Sequence, residues 1–308
     1  MRHLERLELG GAKQWILIRG QCERPLLLVL HGGPGSADIA TADRYQRDLE
    51  KHFLVVNWDQ RGAGKSYGDE LNVEQLVSDA TELVRLLLAR FGKLKLFLLG
   101  HSWGSALGLL ITHRFPELVK GYIGLGQLVD TAENERSSFD YVRKRARQNG
   151  NRLALSQLRR NAPPYGDDVQ ALLTQRAWLY VFRGFFYSRR NALRYALAFL
   201  LSKNYSLKDK LRYSQRLRNS LRQLWPGVET INLSADVPSV AVPVLFCLGR
   251  HDMTTLSALA ERYFRTLVAP SKQLTWFDVS AHSPNLEEPR KFAETVSGWS
   301  EQIGGNGA

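Results

Sequence analysis

Ser102 stands in the stretch Gly100-His-Ser-Trp-Gly104, between an apolar run ending at Leu99 and a run of helical character after it. A serine hydroxyl is a weak nucleophile near neutral pH, so it needs a positioned base, and that base needs an orienting acid. The G-x-S-x-G pattern at a strand-to-helix corner supplies the presentation: a strained turn lifts the hydroxyl above the sheet. Gly100 and Gly104 are required because side chains there would collide with neighbouring backbone. By itself the pattern is a weak signal, and a glycine-rich turn is the alternative reading. In folds that present a serine on such a strand-to-helix corner, the partners follow in the order serine, acid, histidine, each just past a strand. Asp252 in Cys247-Leu-Gly-Arg-His-Asp252 and His282 in Phe277-Asp-Val-Ser-Ala-His282 satisfy that order. His251, beside Asp252, reads as loop structure, and His101, beside Ser102, is expected to point into the core. Asp130, past the apolar run 122–125, is the alternative acid. Acyl transfer also needs backbone N–H groups aimed at the developing oxyanion. Leu30-His-Gly-Gly-Pro-Gly35 brings such a backbone near the serine, with the N–H groups of Gly33 and Trp103 as donors; a plain glycine–proline turn is the alternative.

These loops need a sheet. Residues 4–9 and 14–19, joined across Gly10-Gly11, read as an antiparallel hairpin. Residues 26–30 and 53–58 are continuous apolar runs, as expected of strands covered on both faces. Asn72 with Gln75 has capping-box spacing and opens a helix whose apolar face includes Leu76, Ala80, Leu83 and Leu87. Residues 94–99, 122–125, 242–248 and 273–279 continue the strands, with a helix over 104–113. A last helix carries Phe292, Val296, Trp299 and Ile303. Residues 128–235 are arginine-rich, helical in character and without a convincing strand. Alternating strands and helices imply a mostly parallel sheet flanked by helices, and the helical insertion would cap the carboxyl ends of its strands. The expected division is a core of 1–127 and 236–303, an inserted cap of 128–235, and a disordered tail of 304–308.

The 308 residues are 44% hydrophobic and 23% charged, ordinary for a globular chain with a sizeable core. The first residues lack an apolar signal region, and the longest apolar runs are too short to span a bilayer, so a cytoplasmic protein without membrane insertion is expected. Cys22 and Cys247 have no metal-ligand spacing and read as buried fillers. Net charge is +12, and residues 128–236 hold 20 Lys+Arg against 9 Asp+Glu, an excess of +11 concentrated in one third of the chain. Such a surface could bind nucleic acid or an anionic membrane, but no nucleic-acid motif accompanies it. The ordered triad weighs more, so an enzyme is the leading reading and an anion-binding protein on the same scaffold the alternative.

Together "HGGPG", "DQRGAGKS", "GHSWGS", "GRHD" and "SAHSPNLEEP" resemble the proline iminopeptidase branch of the α/β-hydrolase superfamily, over roughly residues 26–127 and 240–300. The resemblance implies an α/β-hydrolase fold with an inserted helical cap. It also implies Ser102, Asp252 and His282 as the catalytic triad, no cofactor and no metal. Residues 59–64 are shared with the family and are taken as a structural loop beside the site. The substrate would be a small molecule or short peptide: an ester, lactone or amide, or an N-terminal residue in a true iminopeptidase.

The chain departs from the family in the segment that should hold a substrate amine. Members use cap glutamates, one in a W-x-x-W-E-G stretch; aligned through its end, Trp178-Leu-Tyr-Val-Phe-Arg-Gly184 places Phe182 on the second tryptophan and Arg183 on the glutamate. Residues 137–228 contain no glutamate at all. Trp178, Phe182 and Arg183 are therefore the candidate substrate-binding residues, and an arginine there would favour a neutral or anionic substrate over a free amine. The alternatives are that Arg183 faces water, or that Asp167-Asp168 replaces the glutamates. Oligomeric state is not readable.

Overall fold

The computed structural model describes residues 1–66, 68 and 70–305. The chain opens with the hairpin β1 (Arg2–Leu9) and β2 (Ala12–Arg19), paired antiparallel with Leu9 opposite Ala12 across Gly10-Gly11. Then follow β3 (Leu26–Leu30), α1 (Ile39–Tyr45), β4 (Leu54–Asp59), α2 (Val73–Phe91), β5 (Leu96–His101), α3 (Trp103–Arg114) and β6 (Val119–Leu125). Six helices come next: α4 (Thr131–Gln148), α5 (Arg152–Arg160), α6 (Val169–Val181), α7 (Arg189–Leu200), α8 (Leu207–Glu229) and α9 (Leu233–Asp236). The chain closes with β7 (Val244–Gly249), α10 (Ser257–Thr266), β8 (Lys272–Phe277), α11 (Pro284–Glu287) and α12 (Pro289–Gly305).

The eight strands form one sheet in the order β1-β2-β4-β3-β5-β6-β7-β8. β2 meets β4 antiparallel, and every pairing from β4 to β8 is parallel. Strands buried on two faces favour apolar residues at successive positions, which is why β3 reads Leu-Leu-Leu-Val-Leu. Leu28 and Leu30 face a core shared with α2, α3 and α10, whereas Leu27 and Val29 face Phe292, Val296 and Trp299 of α12. The same alternation continues in β5, β6 and β7. This is an α/β-hydrolase arrangement: a mostly parallel sheet flanked by helices. All its parallel strands run the same way, so the turns after β3, β4, β5, β6, β7 and β8 gather at one edge.

The six-helix segment leaves and rejoins the sheet at one neck. There Thr131 N–H donates to Ile231 O at 3.0 Å and Leu233 N–H to Val129 O at 2.8 Å, and Asp130 Oδ2 accepts from Asn232 Nδ2 at 3.0 Å. Its helix starts are set locally: Asn151 caps α5, Asp168 caps α6, and a reciprocal Ser206–Asp209 box opens α8.

Three local expectations change. Asn72 caps α2 by accepting from Gln75 N–H at 2.8 Å, but the Gln75 side chain turns to Asp79 Oδ1, so the box is half made. Cys22 is exposed and only Cys247, within β7, is a buried filler. Gly304 and Gly305 continue α12 rather than begin a tail, while 306–308 lie outside the described residues. No helix among the described residues is long and apolar enough to cross a membrane.

Candidate active site

At the corner between β5 and α3, Ser102 takes φ 57° and ψ −123°, a conformation rarely adopted by a residue with a β-carbon. Ser102 N–H donates to Leu125 O at 3.0 Å, and Ser102 O accepts from Ser105 N–H at 2.8 Å, so both flanks hold the strained unit. The corner presses on β3. A β-carbon on Gly104 would lie 2.1 Å from Leu30 O, and one on Gly100 2.2 Å from Gly104 O. The Ser102 side chain makes no capping bond to α3. Trp103 N–H thus heads α3 beside Ser102 without a side-chain cap, at the positive end of the helix dipole.

Asp252 and His282 come from the turns after β7 and β8. The buried Asp252 carboxylate takes four donors. Oδ1 accepts from Thr254 N–H at 2.7 Å and Thr255 N–H at 3.0 Å; Oδ2 accepts from Thr255 Oγ1 at 3.0 Å and His282 Nδ1 at 2.9 Å. With the Nδ1 proton donated to the carboxylate, Nε2 is the proton-accepting nitrogen of His282. Phe185 and His101 pack beside this ring, at centroid distances of 5.2 and 4.7 Å, and His282 N–H donates to Phe185 O at 3.1 Å. Thr255 carries no signal of its own in the sequence beyond its nearness to Asp252.

The other candidates separate cleanly. His101 does not point away into the core; its Nε2 donates to His282 O at 3.0 Å and its ring lines the same cavity as Ser102. Burial and the neighbouring His282 push its pKa down to about 3, which keeps it neutral. His251 stacks on Tyr187 and bonds Asp278 O, as a loop residue. Asp130 caps α4 and bonds Asn232, so its carboxylate is spent on the neck.

Gly32 and Gly33 carry the β3 turn to the serine. A β-carbon on Gly32 would sit 2.9 Å from Ser102 Cβ, and Gly33 has φ +115°, which favours glycine. Gln60, inside the Asp59-Gln-Arg-Gly turn after β4, ties the parts together. Its backbone N–H donates to His31 Nε2 at 3.1 Å, its amide nitrogen to His31 O at 2.9 Å, and its amide oxygen accepts from Trp103 Nε1 at 3.0 Å. Burial lowers the His31 pKa to about 4, which suits a neutral ring accepting at Nε2 and donating from Nδ1 to Gly32 O.

Ser102, His282 and Gly33 open onto a mostly apolar cavity of about 570 Å³, walled by α1, α6, α7 and α8. Arg183, Trp178 and Phe182 do not line it, which corrects the expectation that these residues bind substrate. Arg183 follows the end of α6 with φ 63°; that left-handed step turns its side chain out to solvent. Trp178 and Phe182 lie on the side of α6 that packs with α4 and α5, stacked at 5.8 Å, with Trp178 Nε1 donating to Gln157 Oε1. The side of α6 that meets the cavity carries Leu172, Leu173 and Arg176 instead. Arg176 is paired at 2.7 Å with the buried Glu135 of α4, which lies just outside the glutamate-free stretch. Asp38, after the Gly33 turn, is the other charged side chain of the wall, and burial raises its pKa to about 6. Asp167 is exposed and Asp168 caps α6; neither lines the cavity.

The α/β-hydrolase fold model matches residues 25–289. The chain is 34% identical over 302 residues to a probable aminopeptidase, YbaC, of Bacillus subtilis, covering 96% of this chain and 95% of that one. It is 24% identical over 291 residues to the proline iminopeptidase of Saccharolobus solfataricus, covering 90% and 85%. The crystal structure of the proline iminopeptidase of Mycobacterium smegmatis superposes with a TM-score of 0.72 over 98% of both chains at 18% identity, a likeness of fold. With the fold, the match along most of the chain and these relatives in agreement, the chain belongs to the α/β-hydrolase fold family and is proline iminopeptidase-like.

Proposed function

We propose that this hydrolase works through an acyl-enzyme on a small, largely apolar ester or amide, with residues 128–235 as a cap over the site. Ser102 Oγ attacks the carbonyl carbon as its proton passes to His282 Nε2, and Asp252 stabilises the imidazolium that forms. The N–H groups of Gly33 and Trp103 receive the negative oxygen. The C–O or C–N bond then breaks, and the leaving group departs with the proton from His282. Water attacks the acyl carbon, gives its proton to His282, and Ser102 regains that proton as the acid leaves. The observation that carries this reading is the buried 2.9 Å contact of His282 with Asp252, beside a strained Ser102 on the same cavity.

Two observations bear on the substrate. Of the twenty Lys and Arg residues between 128 and 236, Arg176 alone lines the cavity, and Glu135 neutralises it. The anionic preference expected from the charge of that segment therefore loses its basis, and an uncharged or amine-bearing substrate fits better. Relatives named as aminopeptidase and proline iminopeptidase favour an amide at a peptide N-terminus within that class. A panel of prolyl- and alanyl-arylamides, short-chain esters and ω-carboxylate esters tests both points. Neutral esters or arylamides should exceed the carboxylate esters in kcat/KM, and Arg183→Glu should leave that ranking unchanged. Ser102→Ala should lower turnover by about a thousandfold or more; undiminished turnover in that variant overturns the mechanism.

A further inference from the structure

The basic excess of the cap needs another role, since it does not face the cavity, and α7 with the start of α8 supplies one. Six leucines within 19 residues, Leu193, Leu197, Leu200, Leu201, Leu207 and Leu211, remain between 46% and 77% exposed. Leu193, Leu197 and Leu200 stand at helical spacing on one stripe of α7, and Leu207 and Leu211 repeat the spacing on α8. The two helices are held together at their junction by Lys210 Nζ, which donates to Leu200 O and Ser202 O at 2.7 Å. Exposed basic residues are interleaved with the leucines: Arg189, Arg190, Arg194, Lys203, Lys208 and Arg212. The sole acid between residues 187 and 212 is Asp209, which is buried and paired with Lys65.

We propose that this face docks on an anionic lipid surface, with the leucines entering the headgroup boundary and the basic side chains meeting lipid phosphates. Apolar side chains framed by arginine and lysine suit such an interface, because the long basic stems let the charge stay at headgroup level. Each basic residue near an anionic membrane contributes about fivefold in partitioning. The charge argues against a second copy as the occupant, since a two-fold contact would set this basic stripe against itself. Nucleic acid would leave the leucines without a use. The other side of α7 bears Tyr195 and Phe199, which line the cavity that holds Ser102, and Ala196 and Leu200 join them at the edge between the two sides. Leu193 and Leu197 are thus one helix thickness from the cavity, and Leu200 reaches both the exposed stripe and the cavity wall. Resting on the hydrolase reading above, this placement would let an apolar acyl substrate pass from the bilayer to Ser102 with little exposure to water.

Sedimentation of the full chain with extruded vesicles tests the docking without using turnover. Binding is expected to vesicles of phosphatidylcholine with 30% phosphatidylglycerol at least tenfold above phosphatidylcholine alone, and to weaken as salt rises. Leu201→Glu and Leu211→Glu, and separately Arg190→Glu with Arg194→Glu, should each weaken it about tenfold or more. Arg159→Glu with Arg160→Glu on α5 makes the same charge change elsewhere on the cap and should alter it by less than about threefold. Thermal unfolding of every variant checks folding, and Leu201→Gln gives a milder form of the leucine change. Absence of binding to the anionic vesicles at low salt overturns the proposal. So does an equal loss from the α5 reversal with none from the leucine variants, which would mark general basicity. A wild-type dimer that Leu211→Glu dissociates, without vesicle binding, would assign the face to a second copy. Hydrolysis of a soluble ester by wild type and Ser102→Ala, measured in parallel, reports on the hydrolase reading alone.

Discussion

Gln60 shows how a residue away from the reacting atoms can set their geometry. It is 2% exposed and joins the Gly33 turn to Trp103, the two sources of the oxyanion N–H groups in the proposed mechanism. In Gln60→Leu the His31 carbonyl and the Trp103 indole N–H would both be buried without a partner, at a cost of about 1–3 kcal/mol each. Misplaced oxyanion donors act on the transition state more than on bound substrate. The expected result is a fall in kcat of about ten- to a hundredfold, with KM within about threefold, read by steady-state kinetics on a soluble ester. A change confined to KM would show that Gln60 shapes the pocket rather than the oxyanion site. Thr255, which donates to Asp252 and touches both partners of the buried pair, belongs to the same class of positioning residue.

At the scale of elements, the tight parts are the corners, and two glycines separate their physical causes. Gly104, at the start of α3, has no room: a β-carbon would meet Leu30 O at 2.1 Å and His31 O at 2.7 Å, both backbone atoms. Gly92, which ends α2 at φ 61°, has open space around it and pays only for its left-handed conformation. Gly92→Ala should therefore cost about 1 kcal/mol and leave hydrolysis untouched. Gly104→Ala should cost about 3 kcal/mol and reduce turnover sharply, because β3 and α3 can make room only by moving Ser102 and the Gly33 turn apart. Denaturant unfolding with parallel assays checks both; equal costs would mean that α3 relaxes around the extra methyl group. The hairpin, the β-strands and α2 were legible as sequence because each is decided by local pattern and turn chemistry. The ends of the helices were less so. Gln75 had two partners within reach and chose Asp79, a choice that depends on Gln14 and Arg61 gathering round the same carboxylate.

In the whole molecule, four buried or half-buried groups around the site pull stability in opposite directions with pH. His31 and His101 are pushed down to about 4 and 3 by burial, so unfolding lets them gain protons below about pH 6.5. Their contribution is present above that value and is lost as pH falls through about 4 for His31 and about 3 for His101. Burial raises Asp59 to about 7 and Asp38 to about 6, so both hold protons in the folded state that the unfolded chain releases above about pH 4. Their contribution is fully present below about pH 4 and is lost as pH rises to 7. The two pairs offset each other across pH 4–6.5. Asp59→Asn should remove part of the opposing slope: between pH 5 and 7 its unfolding free energy should rise more with pH than that of the wild type. Chemical unfolding at half-unit pH steps gives the comparison, and parallel curves would show that Asp59 titrates alike folded and unfolded.

Local sequence determined the sheet, because strands covered on both faces are apolar at nearly every position and a hairpin needs its glycines. It also determined which residues could form the site, since Ser102, Asp252 and His282 each follow a strand and parallel strands deliver their ends to one edge. Tertiary structure alone decided the lining of the cavity. The resemblance in sequence put Arg183 where a glutamate was expected, but a left-handed step after α6 sends it to solvent, and helical phase turns Trp178 and Phe182 towards α4 and α5. The carboxylates that face the cavity, Asp38 and Glu135, come from a core turn and from α4, two segments separated by 97 positions along the chain. A net charge of +11 counted along residues 128–236 carries no direction. Only the packing of α6, α7 and α8 over the sheet puts Arg176 inside, against Glu135, and nearly all the rest outside, because an unpaired cation loses too much hydration to stay in an apolar cavity.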